Sequence, residues 1–225
     1  MREIVLDTET TGLDARAGDR IVEIACVELL NHLPTGRHFQ SYVNPERDIS
    51  AGAYDVHGLS GDFLAGQPRF AQIADAFLAF LGEAPLVIHN AQFDLKFLNA
   101  ELALASRPPL ATERAIDTVA IARRRFPGAQ VSLDALCRRF EIDSTARTLH
   151  GALLDCQLLA EVYLELLGGR QPGLDLTAAR QAATTTALTA PEPLARAARP
   201  HAPSAEEATA HDALLTRLKD PIWRR

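Results

Sequence analysis

The chain has 225 residues, a formal net charge of −6, 47% hydrophobic and 23% charged residues, which suits an ordinary globular protein with a real core. Its first residues hold only a three-residue apolar run, Ile4, Val5 and Leu6, too short for a signal peptide, and nothing resembles a membrane span, so the expected location is cytoplasmic. Cys26, Cys137 and Cys156 are odd in number and lack CxxC spacing, which argues against a disulfide framework or a zinc site.

Charge divides the chain unevenly. Residues 1–169 carry 15 Lys/Arg against 23 Asp/Glu, whereas residues 170–225 carry 8 against 6. That last stretch also holds 6 of the 13 prolines and is dominated by Ala, Thr and Pro. Its composition cannot bury enough apolar surface to offset ordering entropy. The expected organisation is a folded domain over 1–169, a flexible linker over 170–210 and a terminal segment over 211–225.

Within the domain, "REIVLDTE" reads as a central strand, "RIVEIACVELL" as a second and "GRHFQSYVNP" as a third. Phe70, Ile73, Phe77, Phe80 and Leu81 then recur at helical spacing and stop at Gly82. "APLVIHN" predicts another buried strand, "AQFDLKFLNAELALA" an amphipathic helix and "RAIDT" a short strand. Helices follow around 118–126, 132–140 and 151–167. A three-strand meander followed by strand–helix units predicts an α/β fold with a mixed sheet.

Asp7 and Glu9 interrupt the first strand. Period-two alternation puts both on one face, about 6–7 Å apart, with Ile4, Leu6 and Thr8 opposite. Gly12 turns the chain just past the strand end, where open α/β sheets carry their sites. Solvated acids on an exposed edge strand are the plain alternative. Asp94 falls in the first turn of the helix after "PLVIHN", where a helix dipole alone also favours an acid. Asp155 lies beside an apolar helical stripe and so needs a partner. His150 precedes it by five residues, about 140° around a helix, so Gly151 must place His150 in the entering loop for the two to converge.

Asp-x-Glu followed by Thr-Thr-Gly, then His-Asn-x-x-Phe-Asp about 80 residues later, then His-x4-Asp, resembles the DEDD-type 3′–5′ exonucleases, in the branch whose last motif contains histidine. "DVHGL", "AIDTVAIAR" and "SLDALC" are similar to stretches of the proofreading subunits of bacterial replicative DNA polymerases. The resemblance spans residues 1–168 and implies a ribonuclease H-like fold with a mixed five-stranded sheet flanked by helices. It implies that Asp7, Glu9, Asp94 and Asp155 hold two divalent cations, Mg²⁺ or Mn²⁺, and that His150 is the general base of phosphodiester hydrolysis releasing nucleoside monophosphates. Glu9, Thr10, Thr11, Gly12 and Leu13, with His57, Asn90 and Phe93, would contact a single-stranded or frayed 3′ end of DNA.

A net charge of −8 on residues 1–169 opposes phosphate binding; the arginines at 123–125 and 138–139 are the available local cations. Tethering would compensate for weak affinity. "QPGLDL" resembles sliding-clamp-binding peptides, through Gln171, Leu174 and Leu176. "AHDALLTRLKDPIWRR" resembles a polymerase-binding segment anchored by Trp223. Two alternatives stand beside a proofreading subunit. One is a free-standing nuclease of the same branch acting on RNA or short oligonucleotides; the other is a non-catalytic bridge between clamp and polymerase.

Overall fold

The computed structural model describes residues 1–145, 147, 149–169 and 202–218. The expected meander forms: β1 (Arg2–Thr10), β2 (Ile21–Leu30) and β3 (Leu33–Tyr42) are antiparallel neighbours. β3 starts three residues earlier than the pattern suggests. Asn31 and His32 both take positive φ, 51° and 67°, and so close a two-residue hairpin of the kind that matches strand twist.

Two further strands extend the sheet on the other side. β4 (Leu86–Ile88) runs parallel to β1, and β5 (Ala115–Asp117) parallel to β4, giving the order β3-β2-β1-β4-β5. β1 is thus central, which accounts for its run of apolar residues. Its two faces feed separate cores. Ile4 and Leu6 pack among Phe70, Phe77, Phe97 and Leu98, from α3 (Phe70–Leu81) and α4 (Ala91–Leu104). Val5 packs among Leu136, Cys156, Leu159 and Val162, from α6 (Leu133–Arg139) and α7 (Ala152–Leu166). α5 (Thr118–Arg125) adds Ala122 to this second core. All three cysteines are buried with free thiols.

Two short helices, α1 (Ala51–His57) and α2 (Gly61–Ala65), lie in a stretch where the sequence shows no helical periodicity. Each buries one residue, His57 and Leu64, so there is no apolar stripe to read. Serine caps start both: Ser50 accepts the Ala53 N–H and Ser60 the Phe63 N–H.

The chain divides into two compact units, Met1–Asp175 and Leu176–Arg225. In the second, α8 (Ala205–Arg217) starts within the stretch assigned to the linker, because Ser204 and Glu207 form a reciprocal capping box. Gln171, Leu174, Leu176 and Trp223 lie outside the described residues. Among the described residues no helix is long and apolar enough to cross a membrane.

Candidate active site

Asp7, Glu9, Asp94, His150 and Asp155 line one cleft of about 270 Å³. β1 delivers Asp7 and Glu9 at its C-terminal end, beside a register shift between Glu9 and Thr10. Thr8, on the opposite face, donates to Asp94 Oδ1 at 2.7 Å and so aims the acid at the start of α4. α7 delivers Asp155 in its first turn. Gly151, extended at φ −151°, is the N-cap of α7 and leaves His150 outside the helix, as the five-residue spacing requires. The His150 N–H donates to the Val56 carbonyl at 3.0 Å, which ties the histidine to the end of α1.

Glu23 completes the support and is not signalled by the sequence motifs. It is buried on β2 opposite Glu9. One of its carboxylate oxygens accepts the Ala152 N–H at 3.1 Å, and the other accepts from the Gln40 amide at 2.7 Å. A strand carboxylate therefore caps α7, satisfying an orphan donor of its first turn and fixing the helix that carries Asp155.

Burial raises the acid pKa values before any neighbour is considered. Asp7 is pushed well above the carboxylate range by burial and then by Asp94, Glu9 and Asp155. Burial lifts Glu9 to about 7, with His150 opposing and Asp155 and Glu23 adding to the rise. Asp94 also rises to about 7 by burial, against the Thr8 hydrogen bond. Asp155 goes the other way: burial pushes it up, but hydrogen bonds from His150 and Arg147 outweigh that and hold it low. Arg147 itself lines the cleft, with its side chain 6% exposed.

The donor set suits hard divalent cations. Oxygen-bearing carboxylates crowd together at a cost in charge that a cation would relieve. Ligand-capable atoms of Glu9, His150 and Asp155 lie within 4.8 Å of one another. Asp7 and Asp94 line the same cleft outside that group.

A second cavity of about 390 Å³ adjoins the cleft through Thr8, Glu9 and Phe93. Thr10, Gly12, Leu13 and His57 line it, together with Ser50, Ala53 and Val56 of the α1 region. Leu13 is 86% exposed at its mouth. Gly12 is required there, since a Cβ would lie 2.4 Å from the Asp19 carboxylate.

Two expected contact residues are not brought to either cavity. Thr11 is buried beneath the loop, where its hydroxyl donates to Asp19 and accepts the Arg20 N–H. Asn90 takes a left-handed conformation before α4, and its N–H donates to Asp117. Arg125 is also committed elsewhere: it donates to the Glu165 and Leu166 carbonyls at the end of α7.

An acid-lined cleft at the C-terminal end of a mixed five-stranded sheet, flanked by helices on both faces, defines the class of ribonuclease H-like exonucleases. Comparison with known proteins agrees. The RNase T exonuclease family matches residues 4–163, and the chain belongs to that family. It is 57% identical over 174 residues to the DNA polymerase III subunit epsilon of Rickettsia felis, covering 76% of each chain. It is 48% identical over 176 residues to the subunit of the same name from Escherichia coli, covering 75% of this chain and 72% of that one. Among solved structures, exonuclease X in complex with 5′ overhanging duplex DNA superposes with a TM-score of 0.57 at 30% identity, over 73% of this chain and 90% of that chain. The nuclease domain of 3′hExo, a DEDDh family member bound to rAMP, shares the fold with a TM-score of 0.64 at 22% identity, over 74% of this chain and 91% of that one.

Proposed function

We propose that this chain is the proofreading 3′–5′ exonuclease subunit of a bacterial replicative DNA polymerase. The observation that carries the reading is the convergence of four carboxylates and a histidine, from β1, α4 and the start of α7, on one cleft beside a nucleotide-sized apolar pocket. Relatives 48–57% identical bear the name DNA polymerase III subunit epsilon, which favours a DNA substrate and a polymerase partner over a free-standing nuclease.

In this reading Asp7, Glu9, Asp94 and Asp155 hold two Mg²⁺ or Mn²⁺ ions. When bound, such cations polarise the terminal phosphodiester and offset the charge that develops on it. His150 accepts a proton from the attacking water. Its partner Asp155 raises the imidazole's affinity for that proton, chiefly through a hydrogen bond. The second cavity receives the terminal nucleotide. Phe93 offers an aromatic surface to its base, Leu13 packs at the mouth, and the backbone from Glu9 to Gly12 follows the sugar. A mispaired end frays more readily, so the cost of unpairing supplies the discrimination. The C-terminal tail holds the polymerase through the region of Trp223 and the sliding clamp through Gln171, Leu174 and Leu176.

Hydrolysis of a 5′-labelled single-stranded DNA tests the assignment. Asp7→Ala should abolish Mg²⁺-dependent shortening from the 3′ end with the fold intact. His150→Ala should lose about 10²–10⁴-fold in turnover, the usual cost of losing a general base, while Mg²⁺ still binds. Unchanged turnover in either variant, or full activity in excess chelator, would overturn the reading.

A further inference from the structure

Arg147 is the one arginine or lysine lining the acid cleft among the described residues. Its guanidinium grips both oxygens of Asp155, Nε to Oδ1 at 2.5 Å and Nη2 to Oδ2 at 2.6 Å. The same Nη2 lies 2.7 Å from His150 Nδ1, and Nη1 reaches Asp134 Oδ1 at 2.5 Å. These contacts join the proposed base and a proposed ligand to a single fixed cation. Asp134, by contrast, has a half-exposed side chain on α6.

That geometry conflicts with the chemistry assigned to the cleft. A carboxylate whose two oxygens each accept from a fork of N–H donors keeps only its outer lone pairs for another cation, and a guanidinium beside a divalent ion repels it strongly in a partly desolvated site. His150 Nδ1 is also constrained: it lies 3.3 Å from Asp155 Oδ2 but closer to Arg147. One ring nitrogen cannot accept from the guanidinium and donate to the carboxylate at the same time. Arg147 therefore competes with His150 for the same Asp155 oxygen, Oδ2.

We propose that Arg147 is an internal cation latch, which occupies Asp155 and His150 in the metal-free enzyme and is displaced toward Asp134 when a divalent ion binds. The proposal rests on Asp155 being a metal ligand. It gives the cleft two arrangements. In one, Arg147 neutralises Asp155 and holds His150. In the other, the guanidinium keeps its outer partner Asp134 at the rim, leaving Asp155 to the ion and His150 clear of the arginine. Freeing the ligand and freeing the histidine become one event, because both require the same guanidinium to leave.

Calorimetric titration of the full chain with Mn²⁺ tests this without reference to activity. Arg147→Met removes the competing cation and should tighten Mn²⁺ binding on the order of 10-fold, a coupling typical of two ligands that exclude each other. Arg147→Lys, which keeps the charge without the fork, should fall between, and serves if the methionine variant fails to fold. In the wild type, the Arg147 Nε–H resonance, observed by ¹⁵N NMR, should shift on adding Mg²⁺. Equal or weaker Mn²⁺ affinity in both variants, or an Arg147 resonance unmoved by Mg²⁺, would overturn the latch. Asp155→Asn separates this from the underlying reading. If it weakens Mn²⁺ binding while the arginine variants do not strengthen it, the ligand assignment stands and the latch fails. Should it leave Mn²⁺ binding unchanged, the ligand assignment fails and takes the latch with it.

Discussion

Glu9 and Asp94 are each carboxyls that the fold would sooner keep protonated. Burial lifts both to about 7, from ordinary values of 4.5 and 3.8. A raised acid pKa means the folded state holds more protons than the unfolded one between those limits, so stability falls as pH rises through that window. In chelator the protein should therefore be more stable near pH 5 than near pH 8, and added Mg²⁺ should raise the melting temperature more at pH 8. Melting curves at the two pH values, with and without the ion, check this; an ion effect larger at pH 5 would contradict it. The acids and the histidine were legible in the sequence because a carboxylate inside an apolar strand or helix is conspicuous and their spacing is constrained by the elements. Arg147 was not legible, since it belongs to no periodic element and its contacts come from the fold alone. Glu23 was hidden for another reason: in "RIVEIACVELL" it reads as one polar residue of a half-exposed strand, and only the helix start above it shows what it caps.

α1 is seven residues long, yet it connects the two halves of the site. Upstream, the Ser50 N–H donates to the Thr11 carbonyl of the loop after β1; downstream, the Val56 carbonyl receives the His150 N–H. Gly58 makes this closure possible. It sits at φ +70°, and a Cβ there would lie 2.7 Å from Leu149 Cδ1, next to the histidine. Gly58→Ala should cost about 1–2 kcal/mol from the left-handed conformation alone. The half-exposed Leu149 tip can swing aside, so turnover and Mg²⁺ binding should change little. Denaturant melts together with single-strand hydrolysis check both expectations. The larger elements follow from hydrophobic pattern: β1, β2, α3, α4 and α7 bury wide faces, whereas β3 buries none of its residues fully. α1 and α2 escape because a helix that buries one side chain has no period to detect, only its serine cap and the glycine after it.

For the whole molecule, every residue of the proposed chemistry lies before Gly168, on a domain whose two cores close over β1 from both faces. Deleting residues 170–225 should leave hydrolysis of free single strands nearly unchanged and abolish co-purification with the polymerase, because a tether sets local concentration and not site geometry. Pull-downs and hydrolysis by the shortened chain, run side by side, check the division. The thiols of this domain add a separate consequence. All three are sealed from solvent, and Cys156 Sγ sits at 3.3 Å from the Ala25 carbonyl and 3.8 Å from that of Val5, directly after Asp155. Alkylating reagents can reach it only when α7 lifts off the sheet. The native protein thus carries its own clock for the opening of the site: the rate at which Cys156 is alkylated under native conditions reports how often Asp155 leaves its place, with no engineered residue and no substrate turned over.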